Sequence, residues 1–261
     1  MGGAVRIIAI GLVFCATSAA WIVLGGLTSA REREADSRLK GDVQSLWGRS
    51  QHQKGPELTF RWQTTAMHVR TQVVDGVETQ IRDKRSETHE RPANVDSSDI
   101  QVSLSSDLRR RGLVWYSLYD VAFEGAWSYE HSEEMGGELE VSFTLPDTGG
   151  MYDDFVFEVD GVDRTGLLDA SEGVVKVGVP VEPGQRVRFR AGYESRGMDD
   201  WLYLPSKGVG RLEDFTLRLG TDFAQIDFPA ETLSPSSRER EGPGWVLEWR
   251  FEQLVSGTGS A

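Results

Sequence analysis

Two adjacent carboxylates beside aromatic residues form the grouping in this sequence that most suggests chemistry. Asp199 and Asp200 come directly before Trp201, and Tyr203 follows two positions later. A pair of carboxyl groups above an aromatic platform is typical of sites that bind or cleave sugars. The same residues are also typical of a turn beside buried aromatic side chains, and this second interpretation is the favoured one. Asp199, Asp200 and Trp201 are therefore kept as a candidate interaction site.

Three consecutive arginines, Arg109, Arg110 and Arg111, form a second candidate interaction site. A basic run in an acidic protein can face anionic lipid headgroups or an acidic partner. The plainer interpretation is a turn at the start of a strand, where the arginines neutralise nearby carboxylates. The sequence favours the plainer interpretation and leaves the other open.

The sequence contains no G-x-S-x-G, no H-E-x-x-H and no phosphate-binding glycine loop. Cys15 is the only cysteine, which excludes disulfides, thiolate clusters and a cysteine nucleophile outside the apolar segment. Asp147, Asp153 and Asp154 lack the spacing of a calcium loop. Scattered polar contexts predict that the four histidines are surface residues: His52, His68, His89 and His131. We therefore predict no enzyme activity, no metal and no cofactor.

The charge balance limits the class of partner. The 261 residues hold 28 Lys and Arg against 41 Asp and Glu, for a net charge of −13. Such an acidic surface repels phosphate backbones, so nucleic acid is excluded as a partner. A hydrophobic content of 39% is enough for a folded core.

An apolar segment near the N-terminus indicates how the rest of the chain is attached to a membrane. Ile7–Ala30 carries no charge between Arg6 and Arg31. As a helix, Ile7–Leu27 would span roughly 31 Å, close to the roughly 30 Å of a bilayer's hydrocarbon core. The apolar region of a cleavable signal peptide is shorter, although Thr28–Ala30 could serve as a cleavage site. We predict an uncleaved transmembrane anchor over residues 1–30.

Residues 31–56 follow as a predicted juxtamembrane amphipathic helix and linker. Apolar residues recur at helical spacing through Leu46, and Glu34 precedes Arg38 by one turn. Gly48 and the polar segment 50–56 are expected to end the helix. The count of Lys and Arg around the anchor favours a cytoplasmic main domain, but long domains translocate largely regardless of charge.

From Leu58 onward the hydrophobic period changes to two, which predicts strands. Asp75-Gly76 and Asp160-Gly161 lie between alternating runs and predict tight hairpin turns. Residues 82–99 are charged and rich in serine, so we expect a mobile loop there. Roughly ten short strands without helical periodicity predict a mainly β, antiparallel β-sandwich-like domain over residues 57–261. Four tryptophans at alternating positions are predicted to lie in its core: Trp115, Trp127, Trp245 and Trp249.

The residues of this domain also match a family. The run Arg110–Tyr116, continued by Tyr119–Gly125, resembles the CreD-like family of bacterial inner-membrane proteins of cell envelope integrity. Further blocks match in order between residues 99 and 257: Tyr152–Phe157, Gly192–Trp201, Asp214–Leu217, Thr221–Pro229, Thr232–Pro235 and Gly244–Trp245. The resemblance is specific for the family and offers no catalytic residues.

The resemblance implies a protein of the bacterial cytoplasmic (inner) membrane whose β domain is extracytoplasmic, although the Lys and Arg count favours the cytoplasmic side. With its one apolar segment, this sequence is expected to be single-pass. Such proteins continue into several further membrane helices, whereas this sequence ends at Ala261. The implied partners are the lipid bilayer and, as a further hypothesis, a multi-span membrane protein.

Two functional hypotheses follow. The first is a membrane-anchored, non-enzymatic envelope protein that acts through protein contacts of its β domain. The second is an extracytoplasmic module that binds or cleaves sugars or peptidoglycan. A hydrolase requires two carboxylates that converge in an aromatic-lined cleft, so the geometry around Asp199 and Asp200 distinguishes the two.

Overall fold

A computed structural model describes residues 2–74, 77–111, 114–205, 211–228 and 232–255. The chain divides into two compact units, Met1–Trp47 and Gly48–Ala261, and we call the second the β body. The described residues are mainly β, with one N-terminal helix, as the sequence predicts.

Helix α1 (Gly2–Trp47) contains 46 residues. Its segment Arg6–Arg31 is long and apolar enough to cross a membrane. The helix continues beyond this segment without a break, and the predicted ion pair between Glu34 and Arg38 is formed. It ends where predicted, because Gly48 adopts a φ of 96°, which only glycine adopts without strain.

The β body contains fifteen described strands and a single turn of 3-10 helix at Thr165–Leu167. The strands are β1 (Gln51–Lys54), β2 (Glu57–Val74), β3 (Val77–Ala93), β4 (Ser97–Arg111), β5 (Val114–Glu130), β6 (Gly137–Thr144), β7 (Tyr152–Val159), β8 (Val162–Asp163), β9 (Leu168–Asp169), β10 (Val174–Val181), β11 (Arg186–Met198), β12 (Trp201–Leu204), β13 (Arg211–Thr221), β14 (Ser237–Glu241) and β15 (Gly244–Val255).

These strands form two large sheets and one small pair. The smaller large sheet has the order β3-β2-β6-β10-β9, and the larger has the order β14-β15-β13-β4-β5-β11-β7-β8. Most neighbours are antiparallel, but β4 and β13 are parallel, as are β1 and β12 in the two-stranded sheet. A period of two shows that a segment is a strand and does not encode the direction of its neighbour, so these parallel pairs could not be predicted.

The core follows from the alternation that the sequence shows. Val121, Phe123 and Trp127 on β5 are buried, while residues 122, 124 and 126, on the other face of the strand, are exposed. They pack with Phe143 of β6 and with Phe189 of β11, so residues of both large sheets share one core cluster. The large sheets therefore form the predicted sandwich-like arrangement.

Two segments that were expected to be irregular are strands. The expected loop at 82–99 is occupied by β3 up to Ala93 and by β4 from Ser97. The prediction failed because much of β3 is exposed on both faces, so no apolar alternation marks it. The expected linker at 50–56 contains β1, whose Gln51 and Gln53 are 1% and 0% exposed.

Individual aromatic and histidine predictions also need correction. Trp127 is buried as predicted, and Trp245 and Trp249 are half-buried, but Trp115 is 64% exposed. His131 was expected at the surface and is fully buried, where its Nδ1 lies 2.9 Å from the Tyr129 hydroxyl. Its Nε2 lies 2.7 Å from the Met135 carbonyl, so both ring nitrogens have partners, which makes burial tolerable.

Candidate functional site

The two predicted interaction sites lie at the same end of the β body. The Met198 N–H donates to the Arg49 carbonyl at 3.3 Å, and the Asp199 N–H donates to the Ser117 carbonyl at 3.1 Å. Ser117 lies on β5, and the residue before it, Tyr116, pairs with Arg109 on β4. The aspartate pair and the arginine run are therefore brought together where the chain enters the body, which we call the Gly48 end.

Asp199 and Asp200 form the turn between β11 and β12. Asp199 adopts a left-handed φ of 73°, which is typical of aspartate in tight turns. The Asp200 carboxylate lies 2.8 Å from Nε2 of His52, and its carbonyl accepts a hydrogen bond from the Tyr119 hydroxyl at 2.7 Å. This arrangement joins β1, β5 and β12.

The pKa of Asp200 is lowered from its ordinary value. Partial burial pushes the pKa up, but hydrogen bonds from Ser50 and His52, and attraction to the His52 ring, outweigh that effect. A lowered pKa keeps this carboxylate ionised, which suits an ion-pairing role and not that of a general acid.

Trp201 does not provide an open platform beside these carboxylates. Its ring packs against the core residue Phe123, with a centroid separation of 6.4 Å, and its indole nitrogen is buried. The favoured interpretation of the sequence, a turn next to core aromatic residues, describes this geometry.

A buried polar cluster fixes β1 behind this turn. The Tyr193 hydroxyl donates to Oε1 of Gln53 at 2.8 Å, and the Ser195 hydroxyl donates to Oε1 of Gln51 at 3.0 Å. The Gln51 amide also donates to the Arg196 carbonyl at 2.9 Å. Sequence reasoning missed this cluster, because a polar run flanked by Gly and Pro resembles a linker.

The arginine run lies on a hairpin that extends beyond its neighbours. Strand β13 pairs with β4 only as far as Leu104, and β11 pairs with β5 only as far as Leu118. We call the remainder, Ser105–Arg111 with Val114–Ser117, the arginine hairpin. Arg109 contacts Asp107, with Nε 2.7 Å from Oδ2, whereas the side chains of Arg110 and Arg111 lie outside the described part of the chain.

A longer extension is formed by β2 and β3. Strand β6 pairs with β2 only over Glu57–Arg61. The remainder, Trp62–Val74 paired with Val77–His89, has no further strand beside it among the described residues, and we call it the β2–β3 ribbon. Where the structure describes side chains, over residues 63–68 and 83–88, consecutive positions are mostly exposed, so both faces of this part of the ribbon meet solvent.

An open groove of about 500 Å³ lies on the outer face of the larger sheet. Three arginines of β11 line it, and two of them, Arg186 and Arg190, pair with glutamates. Its two aromatic lining residues, Trp127 and Phe189, are buried beneath it. The groove therefore offers charge but no aromatic surface for a sugar ring.

Comparison with known proteins adds little to this geometry. No family model matches the chain, and no curated protein matches it. A solved structure of a candidate nutrient-binding protein from Legionella pneumophila is similar over 61% of this chain and 62% of that one, with a TM-score of 0.42 and 9% identity. This chain thus spans less than two thirds of that protein, and the likeness carries no argument about function. Over the described residues, the fold is that of a mainly β protein whose N-terminal helix is long and apolar enough to span a membrane.

Proposed function

We propose that this chain is a non-enzymatic, membrane-anchored protein of the bacterial cell envelope, related to the CreD-like family, that binds a protein partner through its β2–β3 ribbon. Residues 7–27 remain in the mature protein as a single span of the inner membrane, and the β body lies outside the cytoplasm. The resemblance of residues 99–257 to that family supports this placement, as does the apolar segment Arg6–Arg31.

The observation that carries the binding role is the length of the ribbon outside any sheet. From the pair Trp62–His89 to the pair Val74–Val77 it extends for roughly 40 Å at about 3.4 Å per residue. An isolated two-stranded hairpin is marginally stable in water. A few local contacts support the base of this one, such as Trp62 stacked on His89 at 5.4 Å and Thr64 Oγ1 at 2.8 Å from His89 Nε2.

The ribbon also presents a free strand edge. Strand β3 pairs only with β2 among the described residues, so backbone groups along its other side can pair with an added strand. Charged side chains such as Lys84 and Glu87 are exposed there and oppose indiscriminate pairing between copies. An edge that is open but charged suits a specific partner strand, and this combination favours protein contacts.

The sugar-binding alternative has weaker support. A site of that kind needs exposed aromatic faces near polar groups. At the turn the ring of Trp201 packs on the core, and in the outer groove both aromatic residues are buried. Neither place combines carboxylates with an aromatic surface in the described part of the chain.

Site-specific photo-crosslinking in native membranes tests the proposal. A photoreactive amino acid at Thr65 or Glu87 on the ribbon should give a discrete adduct with a membrane protein, and the multi-span partner is the expected one. The same amino acid at Glu239 on the exposed edge strand β14 is the matched control and should give no such adduct. Equal adducts from both strands, or none from the ribbon, would refute the proposal.

A shortened ribbon provides the second arm. Thr65 and Ser86 are register partners, so an Asp-Gly turn can replace the residues between them. This variant should lose the adduct formed by a probe at Gln63 while its body keeps its melting temperature, because the removed segment does not contribute to the described core.

A further inference from the structure

The arginine hairpin exposes apolar surface beside its basic residues. Leu108 is 62% exposed, and Trp115 is as exposed as stated above. The register places Trp115 opposite Arg110 and Leu108 opposite Ser117, so positions 108, 110, 115 and 117 share one face of the hairpin. An exposed tryptophan and leucine on a basic hairpin require an explanation, because neither contributes to the core of the body.

This face is a continuation of the core-facing side of the larger sheet. Side chains alternate along a strand, so Leu108 lies on the same side of β4 as the buried Val102, and Trp115 on the same side of β5 as the buried Phe123. Within the body that side is covered by the other sheet. On the hairpin it is exposed to solvent.

The charge of the hairpin opposes that of the rest of the protein. Residues 105–117 carry three arginines and one aspartate, whereas the whole chain has a net charge of −13. An anionic surface repels the acidic body as a whole and attracts this basic run, so it orients the body with the hairpin towards itself.

The hairpin also lies at the Gly48 end, where the chain that leaves helix α1 joins the body. The Asp199 N–H holds the Ser117 carbonyl at the base of the hairpin, and the Met198 N–H holds the Arg49 carbonyl next to it. The base of the hairpin is therefore next to Arg49, which follows α1 closely in the chain.

We propose that the arginine hairpin binds the anionic headgroups of the same bilayer in which α1 is anchored, with Trp115 and Leu108 in the interfacial layer. Tryptophan is favoured at that depth, and arginine keeps its guanidinium among headgroups while its aliphatic stem lies in the apolar layer. The inference rests on the membrane anchoring in the proposed function but not on the ribbon or its partner. Docking would fix the orientation of the β body above the membrane.

Fluorescence quenching on the full-length chain in lipid nanodiscs tests this. In a Cys15→Ala background, one probe is attached at Ser117→Cys on the hairpin and a control probe at Ser237→Cys on β14, both exposed positions. Discs contain phosphatidylcholine alone or with about 30% phosphatidylglycerol. With the anionic lipid, quenching of the hairpin probe by iodide should fall at least twofold and quenching by nitroxide-labelled lipid should rise. The control probe should show neither change.

Two variants with the same change in charge locate the effect. R109Q/R110Q/R111Q should abolish the response of the hairpin probe, while R186Q/R188Q/R190Q, on the outer face of the sheet, should preserve it. Raising the salt concentration to about 0.5 M should weaken the response of the unsubstituted chain, because dissolved ions reduce the range of electrostatic attraction. This measurement does not require any variant to fold.

Several results would overturn the inference. These are equal responses in both lipid mixtures, an unchanged response after the hairpin substitution, or a response in native membranes that is missing from every lipid-only disc, which would assign the hairpin to a protein. Failure of the ribbon crosslink leaves the quenching result unaffected, so the two proposals fail separately.

Discussion

The two projecting hairpins of the β body are built alike and differ in surface chemistry. Each begins as a pair of core strands and continues beyond its sheet, at Trp62 in the β2–β3 ribbon and at Ser105 in the arginine hairpin. Between residues 62 and 89 the ribbon carries four basic and four acidic residues: Arg70, Arg82, Lys84, Arg85, Asp75, Glu78, Asp83 and Glu87. The arginine hairpin is shorter, basic and exposes Trp115.

The difference shows that a hairpin extending beyond its sheet can suit different binding surfaces, depending on its length and its exposed side chains. A long ribbon with balanced charge and a free backbone edge suits pairing with another strand. A short basic hairpin with interfacial residues suits a lipid surface. Strands of both hairpins contribute to one core cluster, so substitutions in that core and on the projections should separate stability from binding.

The largest expected effect concerns the N-terminal anchor, because the lipid-binding role proposed for the arginine hairpin depends on it. The mature protein should retain residues 7–27, because their apolar length exceeds that of a cleavable signal peptide. Mass spectrometry of the membrane-extracted protein should find this segment, and a reporter fused after Ala261 should be active only outside the cytoplasm. A mature chain that begins at Arg31, or activity of a cytoplasmic reporter alone, would contradict the anchored topology.

Removing a core side chain at the base of the ribbon should have the largest effect on stability. Phe60 is fully buried, stacks on Trp62 and contacts the ring of His131, with a centroid separation of 4.5 Å. Phe60→Ala should lower the free energy of unfolding by about 3–5 kcal/mol, because it removes buried apolar surface and leaves a cavity. Chemical denaturation of the detergent-solubilised protein measures this.

The control for that substitution lies farther along the same strand. Met67 is well exposed, so Met67→Ala should change the free energy of unfolding by about 0.5 kcal/mol or less. Similar losses from the two substitutions would show that the ribbon packs against something in the free protein.

An intermediate effect is expected in the polar cluster of the Gly48 end. Gln53→Leu leaves the buried Tyr193 hydroxyl without the acceptor it now has, at a cost of about 1–3 kcal/mol. Adding Tyr193→Phe should recover part of this loss, because the orphaned hydroxyl is removed. A double-mutant cycle measures the coupling, and strictly additive losses would mean that the hydrogen bond has no net value.

The smallest effect concerns pH and the turn of Asp200. Since its folded pKa is lowered, the carboxylate stabilises the protein above the unfolded pKa of about 3.9, and this contribution is lost as the pH falls through the lower folded pKa. The side chain is 40% exposed, so after allowance for solvent screening the contribution is about 0.5 kcal/mol or less.

Asp200→Asn should therefore flatten the decline in stability as the pH falls below about 4. Urea denaturation across this range measures the difference. Asp120→Asn is the matched control, because Asp120 is an exposed carboxylate that pairs with an arginine, Arg196, and not with His52. An unfolding curve for Asp200→Asn that is steeper with pH than that of the unsubstituted protein would reverse the sign of the inferred shift.

How far the sequence could predict the site differs between its residues. The turn at Asp199 and Asp200 was predictable, because aspartate tolerates the left-handed conformation that Asp199 adopts. The partner of Asp200 was not, since His52 lies 148 positions away and comes near only through the parallel pairing of β1 with β12. The prediction that His131 lies at the surface was wrong for a related reason. The polar residues around it in the sequence do not show that its ring nitrogens find hydrogen-bond partners inside the core.

By itself, the sequence determined the properties that depend on local periodicity and composition. The uncharged run Ile7–Ala30 determined a helix able to span a membrane. Alternation such as that of Val121 and Phe123 determined strands with one solvent-exposed face and one buried face. Only the tertiary structure decided which strands become neighbours and how far each extends beyond them. Pairing across a sheet is set by contacts between residues distant in the chain. The alternation of apolar and polar residues along one strand does not indicate where its neighbouring strand ends. For that reason the ribbon and the arginine hairpin were found in the fold and not in the sequence.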